Sequence, residues 1–133
     1  MMEYSVEAKR IDGTLSVAAA KQASVNLDTD VRGRQDAFNP VELLLAALAA
    51  CIIKGIERVS PMLDFAFQGV ELKLKAVRQD APPKLTGIVY ELVVDTQEDD
   101  RRLELLHTNI RKYGTISNTL ALAVELSGTI RRA

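Results

Sequence analysis

The sequence predicts an α+β domain with a mainly antiparallel sheet, a long central apolar helix and a second, amphipathic helix. Three observations predict it: strand-like alternation of apolar and polar residues at both ends of the chain, an apolar run over positions 43–53, and a helical period over positions 98–113. The order is three strands, a helix, two strands, a helix and a final strand, with no βαβ alternation. Because 133 residues fit one core, we expect a single domain over residues 1–133.

The N-terminal third has the period of β-strands. Residues Tyr4–Ala8 and Leu15–Ala19 alternate in polarity on either side of Asp12-Gly13. Asp-Gly between two such runs predicts a hairpin, since glycine accepts the positive φ of tight turns. A third strand is predicted over Ser24–Asp28, and the polar segment 29–38 is predicted to be a loop.

Three signals mark the start of the central helix. Asn39 is a typical N-cap, Pro40 suits the first helical position, and Glu42 is placed to reach back to the cap amide. Apolar sequence continues to Val59, and we expect Ser60-Pro61 to end the helix. Because apolar residues occupy every face of the run at 43–53, most sides should be buried, part of them by a second copy of the chain. A homodimer is therefore expected.

The second half of the chain alternates strands and helices. A glycine, Gly114, stands where a helix C-terminal glycine belongs. The predicted elements are a strand over Val70–Ala76, a turn over Asp80–Lys84, a strand over Leu85–Asp95, a helix over Glu98–Tyr113, a short helix over Ser117–Leu122 and a strand over Val124–Ile130.

Composition excludes several classes of function. The net charge is -1, so the chain lacks the basic excess of nucleic-acid-binding proteins. The apolar run is shorter than the roughly 20 residues that span a membrane, and no apolar block precedes it, so we expect a cytoplasmic protein with no membrane partner. There is one cysteine, one histidine and no phosphate-binding loop or dinucleotide motif, so we expect no disulfide, no metal and no cofactor.

Cys51 is the one residue with strong nucleophilic potential. It stands about three turns into the helix, too far from the positive end of the helix dipole, so a cation must favour its thiolate. Lys54 shares its side of the helix, Gly55 is expected to leave open space beside the sulfur, and an apolar substrate pocket would be lined by Leu44, Ala47 and Leu48. The alternative is an inert core cysteine.

Two loop arginines and one glutamate are further candidates. Arg32 or Arg34 can fold back to hold a thiolate or polarise a substrate oxygen, although either can equally be a solvated loop charge. Glu42 can orient such an arginine, but spacing alone favours its role as the capping partner of Asn39. His107 lies beside an apolar helical stripe and is interpreted as a boundary histidine.

The segment Asn39–Cys51 (NPVELLLAALAAC) resembles the signature of the OsmC-like family, which comprises osmotically inducible protein C and the organic hydroperoxide resistance proteins. The resemblance implies the OsmC-like fold and an intertwined homodimer whose active sites are built by both subunits. It implies that Cys51 attacks a peroxide. It also implies that an arginine before the helix, Arg32 or else Arg34, activates the thiol, and that a glutamate, matched by Glu42, holds the arginine.

Two positions depart from the family pattern. Gly114-Thr115-Ile116-Ser117 stands where the family has Cys-Pro-Val-Ser, so no resolving cysteine is present and an external thiol must reduce oxidised Cys51. Val41 stands where the strongest peroxidases carry an acid. Two functions follow from the resemblance: a one-cysteine thiol peroxidase acting on organic or hydrogen peroxides in oxidative stress defence, or a non-catalytic dimer that binds a small apolar ligand in the same interfacial pocket.

Overall fold

The computed structural model describes residues 1–133, and the chain divides into two compact units, Met1–Leu44 and Leu45–Ala133. The predicted α+β class is confirmed. The elements are β1 (Glu7–Arg10), β2 (Leu15–Ala20), β3 (Ala23–Asp28), α1 (Pro40–Leu63), β4 (Gly69–Asp80), β5 (Pro83–Asp95), α2 (Asp100–Tyr113), α3 (Thr115–Leu120) and β6 (Glu125–Arg132).

The first unit contains an antiparallel sheet of order β1-β2-β3. The β1–β2 hairpin forms where it was predicted, but its turn has a different cause. The Asp12 carboxylate accepts hydrogen bonds from the backbone N–H groups of Thr14 (2.8 Å) and Leu15 (3.1 Å). These bonds lower the pKa of Asp12. Gly13 does not adopt a positive φ. The aspartate therefore fixes this turn, and the predicted role of the glycine is wrong.

Helix α1 crosses from the first unit into the second and runs further than predicted. Pro61 lies inside it, and the helix ends at Leu63, where Asp64 takes a left-handed φ of 51°. The Arg102 guanidinium donates to the carbonyl oxygens of Leu63 (2.6 Å) and Asp64 (3.0 Å). Pro61 costs only one intrahelical hydrogen bond near a helix end that Arg102 caps from another element, so the prediction that Ser60-Pro61 ends the helix is wrong.

The second unit contains a mixed sheet of order β4-β5-β6. Strands β4 and β5 form a long antiparallel hairpin, with Gly69 opposite Asp95, whereas β5 and β6 are parallel, with Gly87 opposite Glu125. Because α2 and α3 connect these parallel neighbours, β5, α2, α3 and β6 form a βαβ crossover. The expectation of no βαβ unit is therefore wrong, although antiparallel pairing predominates.

The core of the second unit lies between one face of this sheet and helices α1 and α2. On α1, Leu48, Ile52, Ile56 and Val59 recur at helical spacing and are buried. They pack in one cluster with alternate residues of β5 and with the apolar stripe of α2: Ile88, Tyr90, Leu92, Val94, Leu103, Leu106 and Ile110. Each such side chain contributes about 1.5–3 kcal/mol when fully buried.

The other side of α1 is not covered within one chain. Ile53 is 39% exposed and Met62 is 64% exposed, and Ala47 and Ala50 are also exposed. The expectation that most sides of this helix are buried is therefore not met by a single chain. None of the helices has the length and hydrophobicity that crossing a membrane requires.

Candidate functional site

Cys51 lies in the second unit, in the fourth turn of α1, as a free and half-buried thiol. Its helix starts as predicted. The Asn39 side chain accepts a hydrogen bond from the Glu42 N–H (2.8 Å), and the Glu42 carboxylate accepts one from the Asn39 N–H (2.9 Å). This reciprocal capping box fixes where α1 begins, and with it the position of Cys51 along the helix. Glu42 thus has the capping function that its spacing favours.

The helix residues near Cys51 differ in the exposure of their side chains. Leu48 is 0% exposed and belongs to the core cluster, so its side chain faces the protein interior. Leu44 is half-buried, and Ala47 is exposed. Lys54 is exposed, so its ammonium group is in contact with solvent. The predicted pocket wall of Leu44, Ala47 and Leu48 therefore does not form one continuous exposed surface on the helix.

Gly55 does not leave the open space that the sequence predicted beside Cys51. A Cβ at Gly55 would lie 3.5 Å from Cβ and 3.6 Å from Cγ2 of Ile110 on α2. The space beside this glycine is therefore occupied by a neighbouring helix, and the expectation of open space is wrong. Gly55 is a point of contact between α1 and α2.

The two candidate arginines have different surroundings in the loop before α1. Arg34 donates through its guanidinium to both carboxylate oxygens of Asp36 and to the hydroxyl of Thr14. The hydrogen bond from Arg34 lowers the pKa of Asp36 and raises that of Arg34. The guanidinium of Arg32 is exposed and makes no hydrogen bond or ion pair, whereas its backbone N–H donates to Asp30 (2.9 Å). Arg32 is thus the arginine with free donors.

Two contacts show that α1 and α2 run in opposite directions. Gly55 faces Ile110, and the carbonyl of Leu63 faces Arg102. Between these contacts each helix advances eight residues, from 55 to 63 and from 102 to 110. Cys51 precedes Gly55 by one turn on α1, and Gly114 follows Ile110 by four residues, at the position that matches the second cysteine of the family motif.

Gly114 connects α2 to α3 and is buried. Its φ of -79° and ψ of 113° are extended, so it is not the left-handed C-terminal glycine that the sequence predicted. A Cβ at this position would lie 3.0 Å from the carbonyl oxygen of Ile110 and 3.1 Å from Oγ of Ser117. The glycine therefore permits a close approach of Ser117 to the backbone.

No role was predicted for Ser117 from the sequence. It is 3% exposed, and its hydroxyl makes no hydrogen bond in the structure. The one available signal in the sequence was its match to the serine of the family's Cys-Pro-Val-Ser motif.

His107 takes part in a polar cluster between α2 and the sheet. The hydroxyl of Tyr90 on β5 lies 2.5 Å from Nε2 of His107 and 3.4 Å from the Arg111 guanidinium, which donates to it. Burial raises the pKa of Tyr90 and lowers that of His107, so the phenol stays protonated and the imidazole neutral, and the tautomer of His107 decides which of the two donates. The interpretation as a boundary histidine agrees with this position.

Tyr90 packs flat against a glycine of the adjacent strand. It stands opposite Gly128 of β6, and a Cβ at Gly128 would lie 2.1–2.4 Å from carbons of the tyrosine ring. The absence of a side chain at Gly128 therefore positions the ring, and through it the hydroxyl that His107 binds. The structure brings together no group of three or more His, Cys, Asp or Glu side chains that could hold a metal ion.

Comparisons with known proteins agree with this geometry. Among solved structures, an OsmC-like protein from Mycoplasma pneumoniae superposes with a TM-score of 0.90 at 17% identity, covering 99% of this chain and 98% of that one. An organic hydroperoxide resistance protein OsmC from Legionella pneumophila gives a TM-score of 0.78 at 21% identity, covering 98% of each chain. The organic hydroperoxide resistance protein OhrB of Bacillus subtilis gives 0.69 at 18% identity, with the same coverage.

A comparison with curated proteins found no match. A family model described as OsmC-like protein matches residues 33–127, which include the whole of α1, Cys51 and Ser117. At the identities above, the solved structures establish the fold, and the family model establishes the relationship. The chain belongs to the OsmC-like protein family.

Proposed function

We propose that this chain is a thiol-dependent peroxidase that reduces organic hydroperoxides or hydrogen peroxide through Cys51 alone. The observation that carries the proposal is the position of Cys51: it is the only thiol of a chain in the OsmC-like family, and it lies half-buried on α1. Structural relatives include proteins described as organic hydroperoxide resistance proteins, which supports an organic hydroperoxide as the substrate class.

The first step oxidises the sulfur. The Cys51 thiolate attacks one oxygen of the peroxide, so an S–O bond forms while the O–O bond breaks. The second oxygen leaves as an alkoxide or hydroxide and takes up a proton to become an alcohol or water. Two electrons pass from sulfur to the peroxide, and Cys51 becomes a sulfenic acid.

The second step needs a thiol from outside the chain, because Gly114 replaces the second cysteine of the family motif. A dithiol attacks the sulfur of the sulfenic acid, an S–S bond forms, and the S–O bond breaks with release of water. The second sulfur of the dithiol then displaces Cys51, which returns as a thiol while the dithiol becomes a disulfide.

We propose Arg32 as the group that activates the thiol. Asp36 and Thr14 already engage the guanidinium of Arg34, whereas all the donors of Arg32 are free to bind another partner. If this assignment is correct, Arg32→Ala slows oxidation of Cys51 by about a hundredfold. Arg34→Ala is the matched variant, and equal losses in both would contradict the assignment.

We also propose that the protein acts as a homodimer. One side of α1 exposes apolar residues in a single chain, among them Ile53 and Met62. Exposed apolar surface of this kind is typical of an interface between subunits. Light scattering should give twice the mass of one chain. Replacing Ile53 by Asp should shift that mass towards one chain, and a single-chain mass for the unaltered protein would contradict the proposal.

Turnover tests the function directly. Consumption of cumene hydroperoxide is followed in the presence of a dithiol, with the unaltered chain and with Cys51→Ser. We expect the serine variant to fall to the rate without protein, since its hydroxyl cannot replace a thiolate. Equal rates for the two proteins would eliminate the peroxidase. Saturable binding of an apolar ligand without turnover would favour the non-catalytic alternative instead.

A further inference from the structure

The side chain of Asp28 is a buried carboxylate at the end of β3. It is 5% exposed, and none of the ion pairs of the chain involves it. Its two oxygens instead accept hydrogen bonds from the backbone N–H groups of Asp30 and Arg34, each at 3.0 Å. Burying a charged group costs free energy unless it is hydrogen-bonded. Since both donors belong to the loop that follows β3, the carboxylate and the loop hold each other in place.

This loop closes around the Asp28 side chain. Gly33 takes a φ of 81°, which lets the backbone turn back, and a Cβ at Gly33 would lie 3.9 Å from Oδ2 of Asp28. The backbone N–H of Asp28 also donates to the carbonyl oxygen of Phe38 (2.8 Å), directly before the N-cap of α1. The loop is therefore tied together at its two ends and held from within by one carboxylate.

Arg32 lies between the two amides that Asp28 holds. Its own backbone N–H donates to the carboxylate of Asp30 (2.9 Å), and the N–H of Gly33 donates to the carbonyl oxygen of Asp30 (2.9 Å). The backbone on both sides of Arg32 is thus hydrogen-bonded, whereas its exposed guanidinium makes no hydrogen bond or ion pair. A free side chain on an ordered backbone keeps all its donors for a partner, and less conformational entropy is lost when it binds.

We propose that Asp28 is a positioning residue that orders the loop presenting Arg32. This inference rests on the proposed function, in which Arg32 activates the thiol of Cys51. An arginine on an ordered loop stabilises a thiolate, and the charge that develops on the leaving oxygen, better than an arginine on a mobile loop, because the ordering precedes the reaction. Asp28 touches neither the sulfur nor the peroxide in this scheme and acts through the backbone of the loop.

The test replaces Asp28 by Asn in the full-length chain. The amide has the same shape but only one acceptor oxygen, so its NH2 group meets a backbone N–H and one of the two hydrogen bonds is lost. We expect oxidation of Cys51 by cumene hydroperoxide to become about tenfold slower.

Asp12→Asn is the matched control, because it removes the same charge from another turn. All three hydrogen bonds of Asp12 end on one oxygen, which the amide retains. The oxidation rate of this variant should equal that of the unaltered chain. A tenfold loss in the control as well would show that the charge, and not the ordering of the loop, is responsible, and would overturn the inference.

A second comparison, in the Arg32→Ala background, distinguishes positioning from general support of the fold. If Asp28 acts through Arg32, Asp28→Asn has no further effect on the oxidation rate once Arg32 is replaced. An equal loss in both backgrounds would overturn the inference. An unaltered rate in Asp28→Asn, with a slow Arg32→Ala, would also overturn it while leaving the proposed function intact.

Hydrogen exchange separates the inference from the proposed function, since it requires no peroxide chemistry. We expect the backbone amides of Asp30 and Arg34 to exchange about tenfold faster in Asp28→Asn, while the amides of β5 remain unchanged. Unchanged exchange at both positions would overturn the inference whatever the oxidation rates. Faster exchange with normal oxidation in both Asp28→Asn and Arg32→Ala would contradict the role proposed for Arg32, and this inference with it.

Discussion

The two ends of the α1–α2 helix pair differ in how their polar groups are satisfied. At one end Arg102 donates to the carbonyls of Leu63 and Asp64 and pairs with Glu98. The carboxylate of Glu98 also accepts from the Ala66 N–H (3.0 Å), and this bond together with Arg102 lowers the pKa of Glu98. Beyond the other end of α2 the Ser117 hydroxyl on α3 has no partner, and the Cys51 thiol in the middle of α1 is free.

The paired groups support the fold, whereas the unpaired groups are free to take part in a reaction. Groups that are fully paired fix the position of a helix end and have no bonding capacity left for a substrate. Groups left unpaired in a buried place can bind a species that appears only during a reaction. The fold thus holds α1 at its Arg102 end and leaves the Cys51 thiol, in the middle of the same helix, without a partner.

The largest effect on stability should come from the sheet, where Gly128 of β6 contacts the ring of Tyr90 on β5. Gly128→Ala would force a methyl group against the ring of Tyr90, which is 1% exposed. We expect the free energy of unfolding to fall by about 3 kcal/mol, as overpacked cores do. Urea denaturation measures it. Gly87→Ala is the control, since its Cβ would lie at an ordinary 3.7 Å from the Glu125 carbonyl; similar losses in both would contradict the account.

The paired end should be the next most sensitive. Arg102→Ala removes the donor from two carbonyls at the end of α1, and we expect the free energy of unfolding to fall by about 1–2 kcal/mol. Arg78→Ala breaks an exposed ion pair with Asp80 and should change little. The two urea midpoints provide the comparison. If the free energy of unfolding falls equally in both variants, the hydrogen bonds of Arg102 do not stabilise the end of α1.

The unpaired end should respond in the opposite direction. Ser117→Ala removes a buried hydroxyl that has no partner, so the reduced protein should gain about 1 kcal/mol in unfolding free energy. Thermal unfolding of the reduced protein measures the gain. A loss of stability would show that the two ends do not differ as described.

The smallest effect should be a dependence of stability on pH through His107. Its pKa is lowered from 6.5 in the folded chain, first by burial and then by Arg111, whereas Glu104 opposes the shift. Below about pH 6.5 the unfolded chain therefore binds more protons than the folded one, and the free energy of unfolding falls as the pH falls. We expect His107→Gln to weaken this fall between about pH 7 and pH 5. Identical pH profiles for the two proteins would contradict it.

The features that were predicted correctly from the sequence are those set by residues close together in the chain. The start of α1 was predicted correctly because Asn39 and Glu42 form the capping box within one turn. The end of α1 was not, because Arg102, distant in the chain, caps its last carbonyls. The parallel pairing of β6 with β5 was missed for the same reason: alternation marks a strand but does not identify its neighbour.

For the candidate site, too, local features were predicted from the sequence and contacts with distant residues were not. Cys51 stood out as the single thiol in a recognisable motif, whereas Gly55 was expected to leave room that Ile110 occupies. Nothing in the residues around Ser117 indicates that its hydroxyl has no partner, because burial and pairing depend on the packing of α2 and α3.

The central claim is that the fold activates Cys51, and the most direct test compares the same thiol in the folded and the urea-unfolded chain. The rate of thiol loss is measured with cumene hydroperoxide in both states and corrected for the effect of urea on free cysteine. We predict that the thiol of the folded chain reacts about a hundredfold faster or more. Equal rates, or a slower reaction in the folded chain, would contradict it.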